Sequence, residues 1–273
     1  MTFSDDEEPA PARPTGVTGL PTRQVELIKY HSRSAPLAPN DQEVLLELRG
    51  IASAATRESL NLVVVIDTSD SMRHEGKLDK AKNTLCFVIR KLTDRDRLCV
   101  VQFNDEASRL FPLRRATEAA QAELEGFVRK LAPDGRTNIQ AGLEIGLRVV
   151  AGRRVTSGRT ASVMLISDGW ENNGHARTVA PGEVPVHTFG FGSDHDARLL
   201  GAVADKSLGG VFNYVADRDS PTNLTETISQ VLGGLLTIIA QDLDLVMKEI
   251  GACSLREGGT ELDKLKTLTY GSI

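Results

Sequence analysis

Leu62-Val63-Val64-Val65-Ile66 is an unbroken apolar run, mostly β-branched, that ends on a carboxylate, Asp67. A strand with one face in water alternates polar and apolar residues. A continuous run instead fits a parallel strand covered on both faces. Just beyond it, Leu78, Ala81, Leu85, Val88 and Leu92 recur at three- and four-residue steps, the stripe of an amphipathic helix. The alternation then continues. Strand patterns fall at 98–103, 163–166, 186–189 and 211–215. Helical patterns fall at about 117–131, 138–150, 197–206 and 221–239. The helix near 120 places Ala120, Leu124, Phe127 and Leu131 inward behind a Thr117 cap. The last helix places Leu224, Ile228, Val231 or Leu232, and Leu235 inward. Strands alternating with helices predict an α/β fold, a doubly wound and mainly parallel sheet flanked by helices.

The flanks read differently. Residues 1–23 hold four of the eleven prolines and the acidic run Asp5-Asp6-Glu7-Glu8, the composition of a disordered tail. Two short strand-like runs follow, at 24–30 and 43–48, joined by a turn-rich connection with Pro36, Pro39 and Asn40-Asp41. They form a small β element and linker over 24–60, outside the main sheet. The main domain occupies 61–240. Past Gln241, Leu243, Leu245 and Met247 alternate with polar residues, so 241–273 reads as an incomplete β segment. Short β strands thus flank the domain at both termini.

Composition removes several function classes. Thirty-two basic against thirty-seven acidic residues give a net charge of −5, which argues against a nucleic-acid partner. Cys86, Cys99 and Cys253 are too few and too scattered for a disulfide framework or a zinc site. Free thiols fit a reducing compartment. No apolar leader follows Met1, and the most apolar stretch, 231–240, is half the roughly 20 residues a spanning helix needs. These features point to the cytoplasm or nucleus, with no membrane association.

The chemistry concentrates at the carboxyl end of the first core strand, in Asp67-Thr68-Ser69-Asp70-Ser71. Open α/β sheets collect ligands just beyond such strand ends. Asp67, Ser69 and Ser71 offer one carboxylate and two hydroxyls on a single short loop. Thr137 opens the helix at 138–150, and Asp168 ends the strand at 163–166. Each fragment alone has a plainer reading: an Asx turn for the first, a helix cap for Thr137, a turn for Asp168-Gly169. Together they bring five oxygen-bearing side chains to one sheet edge, the donor type that Mg²⁺ takes.

This set resembles the metal-ion-dependent adhesion site (MIDAS) of the von Willebrand factor A (vWA) domain, built from DxSxS, a later Thr and a later Asp. All five positions match: Asp67, Ser69, Ser71, Thr137 and Asp168. The resemblance covers roughly residues 62–240 and implies a Rossmann-like vWA fold. It also implies a Mg²⁺ ion, with Mn²⁺ or Ca²⁺ as substitutes. The two serine hydroxyls would touch the metal, Thr137 would join directly or through water, and the carboxylates would act largely through water. The implied partner is a protein bearing an exposed Asp or Glu that completes the coordination. Phe103, Leu110-Phe111-Pro112-Leu113-Arg114, Ile166-Ser167-Asp168-Gly169 and His187-Thr188-Phe189-Gly190-Phe191-Gly192 are in addition similar to a plant group of vWA proteins. Longer members of that group carry a RING finger and act as ubiquitin ligases. Three scattered cysteines cannot supply a RING's zinc ligands here, so the ligase activity does not carry over, and a role modulating such ligase complexes is a further alternative.

Two positions depart from the group's usual glycines: Asp70 between the serines and Arg136 before Thr137. Arg136 could pair with the loop carboxylates and take the cation's place, which gives a metal-free scaffold as an alternative. An enzyme using Asp67 as a phosphoryl acceptor would want a second Asp two residues on, where Ser69 stands. No G-x-S-x-G nucleophile elbow occurs either, so no catalytic activity is expected. His187 reads as a packed strand residue. His195, between Asp194 and Asp196, reads as part of a solvated loop that caps the next helix. Trp170, the one tryptophan, follows Asp168-Gly169 as a candidate partner anchor.

Overall fold

Every residue of the apolar run is buried, and the run lies inside a nine-residue strand at the centre of a six-stranded sheet. A computed structural model describes residues 25–31, 34, 44–50, 57–156, 158–168, 170–192, 195–215, 223–241 and 267–269. They fall into two compact units. One spans Ser59–Leu235, and the other contains the flanking strands on either side of it. The stretch 1–23, the connection at Pro36, Pro39 and Asn40-Asp41, the alternation at Leu243, Leu245 and Met247, and Asp194 lie outside the described residues.

In the flanking unit, β1 (Val25–His31) and β2 (Val44–Gly50) pair antiparallel as a separate two-stranded sheet. The main unit opens with β3 (Ser59–Asp67), followed by α1 (Lys77–Lys91), β4 (Arg97–Phe103) and β5 (Ala107–Arg115). Then come α2 (Glu118–Arg129), α3 (Ile139–Ala151), β6 (Arg159–Ser167), β7 (Val186–Phe191), α4 (Ala197–Asp205), β8 (Phe212–Val215) and α5 (Asn223–Leu235). The spatial order is β5-β4-β3-β6-β7-β8, parallel throughout except for β5 at one edge. From β3 the chain steps to β4 on one side and then returns to β6 on the other, so the order reverses between β3 and β6. A crevice opens at such a reversal, where ligands of doubly wound sheets bind.

The strand pleat explains why β3 must be apolar throughout. Val63 and Val65 join one core with Cys99, Val101, Phe103, Ile139, Leu143, Val163, Leu165 and the α4 residues Leu199, Leu200 and Val203. Leu62, Val64 and Ile66, on the opposite face of the pleat, are equally buried. Each such side chain contributes about 1.5–3 kcal/mol on leaving water. Helix α3 lies unusually close to this sheet. A Cβ on Gly142 would stand 2.8 Å from the Phe103 ring and 2.9 Å from Val65 Cγ1. That close seat fixes where the N-terminus of α3 meets the sheet edge.

Three expectations change. The strand β5 was not foreseen, because Pro112 interrupts its pattern; as the antiparallel edge strand it can tolerate a residue without an N–H. Phe127 was expected inward, but Val128 takes that place. Phe127 is left exposed beside Phe111, its ring centroid 6.3 Å away. Helix α5 buries Leu224, Ile228, Leu232 and Leu235 as expected but stops at Leu235 rather than near 239. Gly233-Gly234 weakens its end, and the β-branched Ile238-Ile239 begins β9 (Ile238–Gln241), which pairs antiparallel with β10 (Thr267–Thr269).

Candidate functional site

Parallel pairing sets Ile66 against Ile166, so β3 and β6 end level and Asp67 stands beside Ser167. The Ser167 hydroxyl donates to Asp67 Oδ2 at 2.5 Å, and the Ser69 backbone N–H donates to Asp67 Oδ1 at 2.8 Å. The chain then crosses the strand ends. Thr68 donates through both N–H and hydroxyl to the Phe103 carbonyl that closes β4, at 2.8 and 3.0 Å. The Ser69 and Ser71 hydroxyls lie 3.0 Å apart, and Ser71 donates to Asp168 Oδ1 at 2.8 Å. Asp168 Oδ2 accepts from Lys77 Nζ at 3.0 Å, in an ion pair closed off from water. Asp67, Ser69, Ser71 and Asp168 thus form one continuous chain of polar contacts.

Thr137 enters by its loop. Asp134 N–H donates to the Thr68 carbonyl at 2.8 Å, and Asp70 N–H to the Gly135 carbonyl at 2.9 Å. Gly135 is required there: its φ is +75°, and a Cβ would stand 2.4 Å from Asp105 Oδ2. From the other side, Asn172 Oδ1 accepts the Thr137 N–H at 3.2 Å, while Asn172 and Asn173 N–H groups donate to its carbonyl. The Thr137 side chain is buried, and its hydroxyl makes no hydrogen bond among the described residues. Asn138 then caps α3, accepting the Ala141 N–H at 2.9 Å.

The two departures noted in the sequence do not act on each other. Asp70 pairs with Arg73 at 3.2 Å, both exposed. Arg136 is exposed, its backbone N–H donates to Asp105 Oδ2, and its side chain makes no ion pair among the described residues. The cation that does reach the cluster is Lys77. Burial pushes the Asp67 carboxyl up to about 6, against hydrogen bonds from Ser167 and Ser69 that pull it down; the nearby Asp168 charge adds a smaller upward push. A carboxylate held this way gains from any cation brought beside it. The donor set is all oxygen, with two buried carboxylates linked by hydroxyls, and fits a hard divalent ion better than a soft one.

The von Willebrand factor type A domain model matches residues 61–230, and the chain belongs to that family. Its curated relatives are mixed. The chain is 25% identical over 222 residues to the uncharacterized protein YfbK of Escherichia coli and 27% identical over 216 residues to inter-alpha-trypsin inhibitor heavy chain H1 of Mesocricetus auratus. It is 28% identical over 215 residues to the E3 ubiquitin-protein ligase WAV3 of Arabidopsis thaliana, so the plant likeness is shared with bacterial and animal relatives at similar identity. The matches cover 77%, 74% and 73% of this chain but only 37%, 23% and 26% of those proteins. Among solved structures, a von Willebrand factor type A protein from Catenulispora acidiphila superposes with a TM-score of 0.61 at 21% identity, covering 80% of this chain and 50% of that one. Proximal thread matrix protein 1 of the mussel byssus, solved with a zinc-occupied MIDAS motif, gives 0.51 at 20% identity, covering 66% of this chain and 46% of its own. These likenesses establish the fold.

Lys77, Ser167 and Asn172 join the cluster without belonging to the five-residue pattern read from the sequence. Lys77 carried a signal: a cation at the first position of a helix faces the positive end of the helix dipole and needs a compensating anion. Ser167 stands just past the strand pattern at 163–166, within Ile166-Ser167-Asp168-Gly169, with nothing local to mark Asp67 as its partner, and Asn172 looks like ordinary loop. His195 departs from its expected solvated position. It is buried, with ring centroids 5.8 Å from Phe212 and 5.4 Å from Tyr214, while Asp196 does cap α4 through the Leu199 N–H at 2.9 Å. His187 is buried as expected, and neither ring nitrogen has a hydrogen-bond partner among the described residues. Trp170 is 59% exposed directly after the site. Among the described residues no helix is long and apolar enough to cross a membrane.

Proposed function

We propose that this protein is a non-enzymatic interaction module that binds an acidic residue of a protein partner through a divalent cation, Mg²⁺ by preference. Asp67, Ser69, Ser71, Thr137 and Asp168 would hold the ion, which supplies a positive charge able to accept an oxygen ligand from outside. The observation that carries this reading is the continuous polar chain from Asp67 through the two serines to Asp168, at the reversal of strand order. Family membership supports it, because vWA domains are typically protein-binding modules with this site. The exposed indole of Trp170 beside the site fits a partner contact. The free thiols of Cys86 and Cys99 fit a cytoplasmic or nuclear setting.

The alternative of a metal-free scaffold with Arg136 in the site has less support, since the Arg136 side chain is exposed and makes no ion pair with the cluster. Modulation of RING ligase complexes rests only on the likeness to WAV3.

Calorimetric titration with Mg²⁺ tests the reading. Wild type is expected to bind one ion, and Asp67→Ala and Ser69→Ala to lose binding while keeping the wild-type circular dichroism spectrum. Unchanged affinity in both variants would refute it.

A further inference from the structure

We propose that the outer edge of β8 is an interaction surface for a second copy of this chain, which adds its own β8 antiparallel across a two-fold axis. The two six-stranded sheets then become one. The edges of the sheet are built differently. At one edge, β5 carries Pro112 and the charges of Arg109, Arg114 and Arg115, devices that keep an edge strand from pairing with another chain. At the other, β8 has neither: no residue from Ser207 to Val215 is charged or a proline. Val211, Phe212, Tyr214 and Val215 are side chains that strands favour. Val211 is 50% and Tyr214 55% exposed.

The backbone of β8 is committed on one side. The Val211 and Val215 carbonyls accept from the N–H groups of Thr188 and Gly192, on and just past β7. Backbone groups alternate in direction along a strand, so Phe212 and Tyr214 turn both N–H and C=O outward. Nothing among the described residues meets them there. An extended strand satisfies all four groups, and this chain supplies a fitting one. In antiparallel pairing centred on Asn213, Phe212 of each copy lies opposite Tyr214 of the other, and each such pair exchanges both backbone bonds. Phe212 and Tyr214 share one face of the pleat, where their rings stand 5.8 and 5.4 Å from that of His195. The pairing therefore also sets aromatic rings opposite each other. Asn213 meets its own copy, and neither strand brings a charge to repel the other. Four residues make a small interface, so the association is weak and reversible.

Sedimentation velocity of the full chain, in reducing buffer with EDTA, tests this without contribution from disulfides or a shared ion. Wild type should pass from monomer to dimer with a dissociation constant between about 10 μM and 1 mM. Tyr214→Lys should weaken association at least about tenfold while keeping the wild-type circular dichroism spectrum, and Tyr214→Phe should associate like wild type. Cross-linking reads the register, because Cα atoms of a directly opposed, non-hydrogen-bonded pair stand about 4.5 Å apart, within disulfide reach. Under mild oxidation Asn213→Cys should form covalent dimer well beyond the wild-type level, and Tyr214→Cys should not. Wild type that stays monomeric to about 1 mM overturns the proposal, whatever peptide strand its edge accepts. A dimer that Tyr214→Lys leaves intact, or equal cross-linking at positions 213 and 214, overturns it as well. Each of these outcomes leaves the cation-bridged reading standing.

Discussion

Two neighbouring regions of the same sheet bury ionisable groups in opposite ways. At the β3–β6 reversal, Asp67 and Asp168 are buried but every one of their carboxylate oxygens has a partner: a hydroxyl, a backbone N–H or the Lys77 ammonium. On β7, His187 is buried with neither nitrogen satisfied among the described residues, and burial lowers it to about 4, so it stays neutral. His195, next to β7, differs again: its Nδ1 lies 2.5 Å from the Gly192 carbonyl oxygen, with the Phe212 and Tyr214 rings beside it. The carboxylates of the first region are fully hydrogen-bonded, whereas burial without a partner among the described residues keeps His187 uncharged. The first offers the all-oxygen donor set proposed above for a cation. The second makes the fold sensitive to acid.

The largest expected effect at neutral pH concerns Asp67. With its carboxyl raised to about 6, the folded chain keeps a proton that the unfolded chain releases near 3.8, so stability falls as pH rises through that window. Asp67→Asn removes this loss and keeps an acceptor for the Ser69 N–H. In EDTA at neutral pH the variant should gain about 2–3 kcal/mol in denaturant melts. It should also lose all thermal stabilisation by Mg²⁺. A destabilised variant would show that the site is built for packing rather than for a cation.

His187 carries the opposite sign. The unfolded chain takes up a proton near 6.5 and the folded chain only near 4, so stability is complete above 6.5 and declines toward 4, by about 3 kcal/mol at most. In wild type without metal the two slopes oppose each other between about 4 and 6. In Asp67→Asn the His187 slope should stand alone, and in the double variant with His187→Leu the profile there should flatten. A slope that survives His187→Leu would assign acid sensitivity elsewhere.

Smaller effects test how rigidly the site is framed. Gly142→Val should cost about 1–3 kcal/mol through overpacking against Phe103 and Val65, and should weaken metal binding by shifting Thr137. Asn138→Ala removes the α3 cap and should cost about 1 kcal/mol, with a matching but smaller loss in Mg²⁺-dependent stabilisation. Neither change should alter the acid response of the β7 region, which a pH series of thermal melts would check.

What the sequence decided by itself was the layer order and the edge at which the site lies. The run 62–66, the helical stripe from Leu78 to Leu92 and the later strand patterns are local periodicities, and burial on both faces leaves them few other arrangements. The loop Asp67-Thr68-Ser69-Asp70-Ser71 could be placed at a strand end for the same reason, and Thr117 could be seen as a cap because capping is local, whereas the cap of α3 is Asn138, one residue beyond the Thr137 that the plainer reading offered. Tertiary structure alone decided who partners whom. That Ser167 meets Asp67 depends on the register of strands about a hundred residues apart, and that Lys77 rather than Arg136 reaches Asp168 depends on a sharp turn at Glu75 and Gly76. Pairing energies of this kind depend on distance and dielectric. Both are fixed by packing, and neither is written in the spacing of residues along the chain.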